Sequence, residues 1–138
     1  MQSDFLDAHD RHWQDAEMLY AAQRLANADH LYGMAVECGL KRLMLAFGMP
    51  FDDQKGKPVE SEDRQHAERI WVRYDTYRSG FHQGTEYGLS NPNPFGDWHA
   101  SQRYARQSEF SMQRVDPHRV GAQQVYELVR KARWEGLI

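Results

Sequence analysis

The chain of 138 residues has a single cysteine, no long apolar run and no excess of positive charge. The cysteine, Cys38, cannot form an internal disulfide, and its apolar neighbours in the sequence predict a buried, inert thiol. No apolar run approaches the roughly 20 residues that a membrane-spanning helix needs. The acidic start MQSDFLDAHD lacks the basic and then apolar pattern of a signal peptide. These absences and the length predict a cytoplasmic protein with a single domain, residues 1–138.

Several motifs of metal, cofactor and covalent chemistry are also missing. The sequence contains no Glu-x-x-His pair, so a di-iron carboxylate bundle is not supported. The isolated pairs His9 with His12 and Asp63 with His66 are too few for a zinc site. The segment KGKP lacks the strand and helix of a phosphate-binding loop, and Cys38 lies in no strand–turn–helix elbow. We therefore predict neither a metal nor a cofactor.

The charge is weakly negative overall and unevenly distributed. The formal net charge of -3 argues against a protein that coats nucleic acid over its whole surface. Residues 1–63 hold 6 Lys and Arg against 12 Asp and Glu, whereas residues 98–138 hold 7 against 4. Two interpretations remain open: chance variation on a solvated surface, or a basic face in the C-terminal third that contacts phosphate groups.

Hydrophobic periodicity predicts four long helices and no strand. The first helix spans residues 4–25, with Ser3 or Asp4 as its N-cap, and the second runs from Asn27 to about Phe47. Short connections between long helices favour an antiparallel arrangement.

The later helices have their own start signals. The third helix begins near Ser61, and a short helix over residues 98–106 uses Asp97 as its N-cap. The last helix has Asp116 as N-cap and Pro117 at the first helical position. The fold class is therefore an all-α, four- to five-helix antiparallel, up-and-down bundle. The residues predicted for its core are Leu43, Phe47, Tyr74 and Tyr77.

The second helix, DHLYGMAVECGLKRLMLAFG, carries a polar stripe through an apolar sequence. His30, Met34, Glu37 and Lys41 follow one another at steps of four, three and four, opposite a broad apolar arc. Glu37 and Lys41 also have the i,i+4 spacing of a favourable ion pair. Two interpretations remain open: a solvent-facing seam, or a polar line that faces a ligand or a second subunit. In the second interpretation Glu37 and Lys41 are candidate ligand-binding residues.

The run HLYGMAVECGLKRLM resembles the second helix of the HEPN superfamily, a group of small all-α domains. The matching positions are Tyr32, Gly33, Glu37, Leu40 and Lys41. The later WHASQRYA is similar to a Trp and Arg-Tyr signature of some members, and the first helix extends the resemblance over most of the chain. The resemblance implies a HEPN-like bundle that forms a homodimer. It also implies RNA-directed activity, since many members are metal-independent ribonucleases of toxin–antitoxin or defence systems, while others only bind partners or nucleotides.

Ribonucleases of this superfamily carry an Arg separated by about four to six residues from a His. The His takes the proton of a ribose 2′-OH, and the Arg stabilises the charge that gathers on phosphorus. No Arg of this chain has that spacing in the expected place. The nearest alternative is Arg78 with His82, one residue short, and Asp75 can orient either group if the helix continues that far. Arg24 and His30 have the spacing, but they span the first interhelical turn. The alternatives for Asp75, Arg78 and His82 are a catalytic group or polar residues at a fraying helix end.

The segment WHASQRYA suggests a second group of functional residues. In a helix, His99 and Arg103 are i,i+4 neighbours, with Tyr104 beside them. An Arg next to exposed aromatic rings suits phosphate contact and base stacking in RNA binding. In the alternative, Trp98 and Tyr104 are buried anchors of a loop, and Arg103 is their polar cover.

Two functional hypotheses follow. In the first, the chain is a HEPN-like RNA-directed protein, with ribonuclease activity, in a toxin–antitoxin, stress or defence system; its partner is then a nucleotidyltransferase-like antitoxin. In the second, the chain is a non-catalytic HEPN-like adaptor for a partner protein or nucleotide, as the missing Arg-to-His spacing indicates.

A homodimer is expected from the apolar surface as well as from the resemblance. The second helix is apolar around most of its circumference, so we expect one bundle to leave part of it uncovered. Four aromatic residues also cluster in a loop-rich region: Phe95, Trp98, Tyr104 and Phe110. In the competing account, the Pro-rich segment folds back over the bundle and buries these rings within a monomer.

Overall fold

The computed structural model describes all 138 residues and contains four α-helices. They are α1 (Phe5–Ala21), α2 (Leu25–Ala46), α3 (Ala67–Ser79) and α4 (Met112–Trp134). An antiparallel hairpin of two very short strands, β1 (Phe51–Asp52) and β2 (Lys57–Pro58), follows α2. Single 3₁₀ turns lie at Ser61–Arg64, Gly84–Tyr87, Ala100–Tyr104 and Gln107–Glu109. The prediction of a mostly helical, all-α domain is confirmed, and the short hairpin was not predicted.

The central element is α2, which packs against α1, α3 and α4. A Cβ atom on its Gly39 would lie 2.6 Å from His9 Nδ1 of α1 and 2.7 Å from Val125 Cγ1 of α4, so both helices approach α2 at this glycine. The chain reverses between α1 and α2 over three residues, with Gln23 in the left-handed region at φ 60°. No helix of the structure combines the length and apolar character needed to cross a membrane.

One hydrophobic core contains side chains from all four helices. Leu43, Phe47 and Tyr74 are buried in it, as predicted. Tyr77 is only partly buried, and its hydroxyl donates to Oδ2 of the buried Asp63 at 2.5 Å. The prediction for Tyr77 is therefore correct for its ring contacts but not for full burial.

The Pro-rich segment folds back over the helices. Phe95, Trp98 and Phe110 are buried within the chain, whereas Tyr104 remains 77% exposed. For three of the four aromatic residues, the account in which the chain covers its own rings is therefore correct.

The starts of three helical segments differ from the predictions. The second helix begins at Leu25 rather than after Asn27, and Ser61 begins a 3₁₀ turn, so that α3 starts only at Ala67. The predicted helix over 98–106 is a 3₁₀ turn with His99 as its N-cap, and the Asp97 carboxylate bonds instead to a side chain of α4.

The last helix begins five residues before the predicted start. Ser111 is its N-cap, and Asp116 and Pro117 lie inside it. The proline removes one N–H from the helix, and the carbonyl four residues earlier belongs to Gln113, which is exposed to water. The chain tolerates this proline because water can satisfy the carbonyl that loses its partner.

Candidate functional site

The predicted catalytic residues Asp75, Arg78 and His82 do not form one group. The Arg78 guanidinium donates from Nε to Asp75 Oδ1 at 2.8 Å and from Nη1 to the Gly84 carbonyl at 3.0 Å. The α3 helix ends at Ser79, so the helical face on which Arg78 and His82 were predicted to lie is not formed. His82 is exposed, and its ring packs against its neighbour Phe81. A catalytic role for these residues stays a prediction without the expected helical geometry.

The polar stripe of α2 is not a solvent-facing seam. Glu37 and Lys41 are both buried, and Lys41 Nζ donates to Glu37 Oε1 at 2.6 Å. The second carboxylate oxygen, Glu37 Oε2, accepts from His66 Nδ1 at 2.9 Å. Half of the His66 side chain remains exposed. The buried pair therefore orients an imidazole whose other nitrogen, Nε2, is free of this bond.

Three histidines from different elements lie near this stripe, close enough for their charges to affect one another: His12 of α1, His30 of α2 and His66 before α3. We call them the histidine cluster. Burial lowers the pKa of His30, and the charges of Arg103 and His66 lower it further, against an opposing effect of Asp29. Burial and the charge of Arg11 also lower the pKa of His12, which lies close enough to His30 and Glu37 to respond to their charges.

His30 has the geometry of a neutral base. Its ring stacks on the buried Trp98, with 5.9 Å between the ring centroids and 15° between the planes. Its Nδ1 is buried without a hydrogen-bond partner. The lowered pKa keeps the ring unprotonated near neutral pH. The buried Nδ1 cannot reach a ligand, so the nitrogen of this neutral ring that is able to take a proton from a ligand is Nε2.

The arginine beside His30 is one of the residues predicted from WHASQRYA. Arg103 donates from Nη1 to the Ala100 carbonyl at 2.9 Å, and its guanidinium lies 4.6 Å from the centroid of the exposed Tyr104 ring. His99 is exposed, with Nδ1 3.9 Å from Glu68 Oε1. The other Glu68 oxygen, Oε2, is buried without a partner.

Trp98 brings Arg103 to His30 by filling a notch in α2. A Cβ atom on Gly33 would lie 2.0 Å from Trp98 Cε2, so only glycine leaves room for the indole. The indole Nε1 donates to the Asp29 carbonyl at 2.9 Å. Trp98 is thus the buried anchor of the alternative interpretation, while Tyr104 beside Arg103 is exposed, as RNA stacking requires.

The excess of positive charge in the C-terminal third does not form a free basic face. Each of the five cationic side chains of α4 lies within ion-pair distance of a carboxylate. The pairs are Arg114–Asp97, Arg119–Glu17, Arg130–Glu127, Lys131 with Glu86 and Glu135, and Arg133–Asp10. Arg103 and Arg106 are therefore the cations of this third that are free of an internal ion pair.

Three other kinds of site find less support. The largest surface groove, about 800 Å³, runs along α4 and contains Asp116 and Glu127 but no Lys, Arg or His. It does not suit a phosphate group. No three His, Cys, Asp or Glu side chains are grouped so that they could hold a metal ion. Burial raises the pKa of the Cys38 thiol to about 12, which makes it a poor nucleophile.

Comparison with known proteins gives no further assignment. No protein-family model, curated protein or solved structure matches this chain. The small all-helical domain is compatible with the resemblance of α2 to the HEPN superfamily.

Proposed function

We propose that the chain is a HEPN-like, RNA-directed protein that binds single-stranded RNA at the histidine cluster and cleaves it without a metal. The observation that carries the proposal is the proximity of Arg103, a cation without a carboxylate partner, to His30, whose pKa is lowered by burial and then by the Arg103 charge. The exposed Tyr104 ring next to Arg103 supplies a surface on which a base can stack.

The residues have the roles that cleavage at a ribose 2′-OH needs. His30 takes the proton from the 2′-OH, and the 2′ oxygen forms a bond to phosphorus. Arg103 stabilises the charge on the phosphate oxygens as the bond from phosphorus to the 5′ oxygen breaks. Protonated His66, held through Nδ1 by Glu37, gives a proton from Nε2 to the departing 5′ oxygen. The products are a 2′,3′-cyclic phosphate and a 5′-OH.

A labelled RNA oligonucleotide, incubated with the protein in excess chelator, tests this proposal. We expect 2′,3′-cyclic phosphate ends from RNA and no cleavage of the matching DNA, which lacks the attacking hydroxyl. His30→Gln should lower the cleavage rate at least about 100-fold while RNA still binds, because a positioned general base contributes about this much. His82→Gln is the matched control, since His82 is exposed and lies outside the cluster.

The arginine is tested with a pair from the same segment. Arg103→Ala should weaken both RNA binding and cleavage, whereas the exposed Arg106→Ala should change them much less. Equal cleavage by the wild type and His30→Gln would contradict the catalytic assignment. A larger loss with His82→Gln would return the site to the Arg78 region.

A non-catalytic adaptor is the second candidate. It is favoured by the internal contacts of Arg78, whose guanidinium holds Asp75 and the Gly84 carbonyl instead of a substrate. Binding of RNA or a nucleotide without any cleavage would support it. Co-purification with a nucleotidyltransferase-like antitoxin would support the toxin–antitoxin setting of either candidate.

A further inference from the structure

The segment that carries His99 and Arg103 has little regular structure, so side-chain contacts decide its position. We call residues 95–104 the Arg103 segment. Its backbone contains turns and one 3₁₀ turn, Ala100–Tyr104. Its apolar anchors, Phe95 and Trp98, are fully buried. Its polar anchor is His118 of α4.

His118 lies between two carboxylates, one from α2 and one from the Arg103 segment. Its Nδ1–H donates to Asp29 Oδ1 at 2.6 Å, and its Nε2–H donates to Asp97 Oδ1 at 2.8 Å. The side chain is only 1% exposed, and the Phe95 ring stacks on it. An imidazole donates both bonds together only when both nitrogens carry a proton. Burial acts to lower the pKa of His118, but the bonds and charges of the two carboxylates outweigh it and raise the pKa.

The bond between His118 and Asp29 adjoins the proposed site. Asp29 precedes His30 in α2, and its Oδ2 accepts from Gln102 Nε2 at 2.5 Å. Gln102 precedes Arg103. The bonds of His118 and Asp29 therefore connect the backbone of the proposed base to the backbone of the proposed phosphate-binding arginine.

We propose that doubly protonated His118 is a positioning residue, which holds the Arg103 segment against α2 and keeps Arg103 beside His30. The consequence for RNA rests on the function proposed above. A neutral ring can donate only one of the two bonds, so the other nitrogen would present a lone pair to a carboxylate. The loss of the proton at alkaline pH then loosens the segment and moves Arg103 away from His30.

Of the charged groups around His118, only His118 itself changes its protonation state in the neutral to alkaline range. Asp29 faces it from α2 and Asp97 from the Arg103 segment. Arg114 of α4 donates from Nη2 to the Asp97 carbonyl at 2.9 Å, and a guanidinium stays charged throughout the relevant pH range. The Asp97 carboxylate is also ionised throughout, because burial, which acts to raise its pKa, is outweighed by the His118 bond and charge, which lower it.

Hydrogen exchange of the full chain tests the positioning step without RNA. Protection factors, from which the intrinsic pH dependence is removed, are measured for amides of the Arg103 segment between about pH 6 and about pH 9. We expect wild-type protection to fall at least about tenfold over this range, as for the loss of one hydrogen bond to a charged group. Asp97→Asn should abolish the pH dependence, because an amide can accept from a protonated Nε2 or donate to an unprotonated one. Glu127→Gln, an equal charge change on the exposed side of α4, should behave as the wild type.

RNA binding in the same pH range, at constant salt, separates the two proposals. Fluorescence anisotropy with a labelled single-stranded RNA should show wild-type affinity falling in parallel with protection, and Asp97→Asn affinity changing much less. Constant wild-type protection, or an equal pH dependence in Asp97→Asn, would overturn the role of His118. Protection that falls as expected, in a protein that binds no RNA at any pH, would support that role and overturn the proposed function.

Discussion

The surroundings of single histidines lead to the first prediction. Burial lowers the pKa values of His9, His12 and His30, whereas the carboxylates around His118 outweigh its burial and raise its pKa. NMR titration of the imidazole signals should therefore place His118 above the ordinary value of about 6.5 and the other three below it. A His30 that titrates above about pH 7 would be mostly protonated at neutral pH and would contradict its role as base.

These pKa shifts make stability depend on pH with opposite signs. The raised pKa of His118 stabilises the fold fully below the unfolded value, and this contribution is lost as the pH rises through the folded pKa. The lowered values of His9, His12 and His30 act in the other direction, since the unfolded chain binds protons more readily as the pH falls below about 6.5.

We therefore expect the free energy of unfolding to decrease between about pH 7 and about pH 9. The decrease should approach about 1.4 kcal/mol for each unit by which the folded pKa of His118 exceeds the unfolded one. Urea unfolding of Asp97→Asn should show a smaller decrease, and Glu127→Gln should match the wild type. An unfolding free energy that rises across this range would contradict the shift assigned to His118.

At the scale of residues, the sequence indicated part of the candidate site. The polar stripe on α2 includes His30 and Glu37, and WHASQRYA indicated Arg103 as a phosphate ligand. The stripe's periodicity could not show that Glu37 is buried against His66, because the covering residues come from another element. The bond from Gln102 to Asp29 joins residues 73 positions apart, and no local pattern predicts such a contact.

At the scale of elements, the fit between α2 and Trp98 gives the second prediction. A methyl group at Gly33 would overlap the rigid indole ring, so Gly33→Ala should destabilise the fold by about 1–3 kcal/mol or more. Gly80→Ala is the matched control, because the nearest atom to its added Cβ lies 3.8 Å away. Unfolding in urea measures both variants. A Gly33→Ala variant as stable as the wild type would show that Trp98 does not occupy this notch.

The start of α4 gives a third prediction, which distinguishes Ser111 from Asp116 as the N-cap. Ser111 accepts from a backbone N–H of the first turn, so Ser111→Ala should cost about 1 kcal/mol. Pro117 lies inside the helix, where proline costs roughly 3 kcal/mol relative to alanine. Pro117→Ala should therefore stabilise the protein, since it restores a bond to the Gln113 carbonyl. If Pro117→Ala destabilised it instead, the helix would begin at Asp116, as its sequence pattern suggests.

The errors in the element boundaries share a physical origin. The sequence around α4 contains two capping patterns, and the apolar residue Val115 lies between them. Burial of Val115 in the core favours the earlier start, because the longer helix places this side chain against its neighbours. Asp97 also has a local capping pattern, but its carboxylate bonds to His118, 21 residues later in the chain.

At the scale of the whole molecule, the local sequence pattern predicts the fold class, whereas the distribution of charge depends on contacts between distant residues. The all-α fold follows from apolar steps of three and four residues, which a helix needs wherever it packs. The sequence also shows an acidic N-terminal half and a basic C-terminal third, but only the tertiary structure shows which of these charges pair. Glu17 and Asp10 of α1 pair with Arg119 and Arg133 of α4, so the acidic and basic ends of the chain neutralise each other. This pairing leaves Arg103 without a carboxylate partner, which the net charge of the C-terminal third does not reveal.

The homodimer remains a prediction, and the structure changes where its interface should be sought. The chain itself buries the apolar surface of α2 and three of the four loop aromatics, Phe95, Trp98 and Phe110. An interface must therefore use other apolar side chains, among which Trp134 is 92% exposed.

Light scattering over a wide concentration range measures the mass directly. A homodimer gives twice 16.2 kDa, and its dissociation should move to higher concentration in Trp134→Ser, because removing a large buried ring weakens an interface. Val72→Ser is the control, since Val72 is also exposed but lies on α3. A mass near 16.2 kDa at every concentration would contradict the dimer. The proposed site would survive that result, because His30, His66 and Arg103 all belong to one chain.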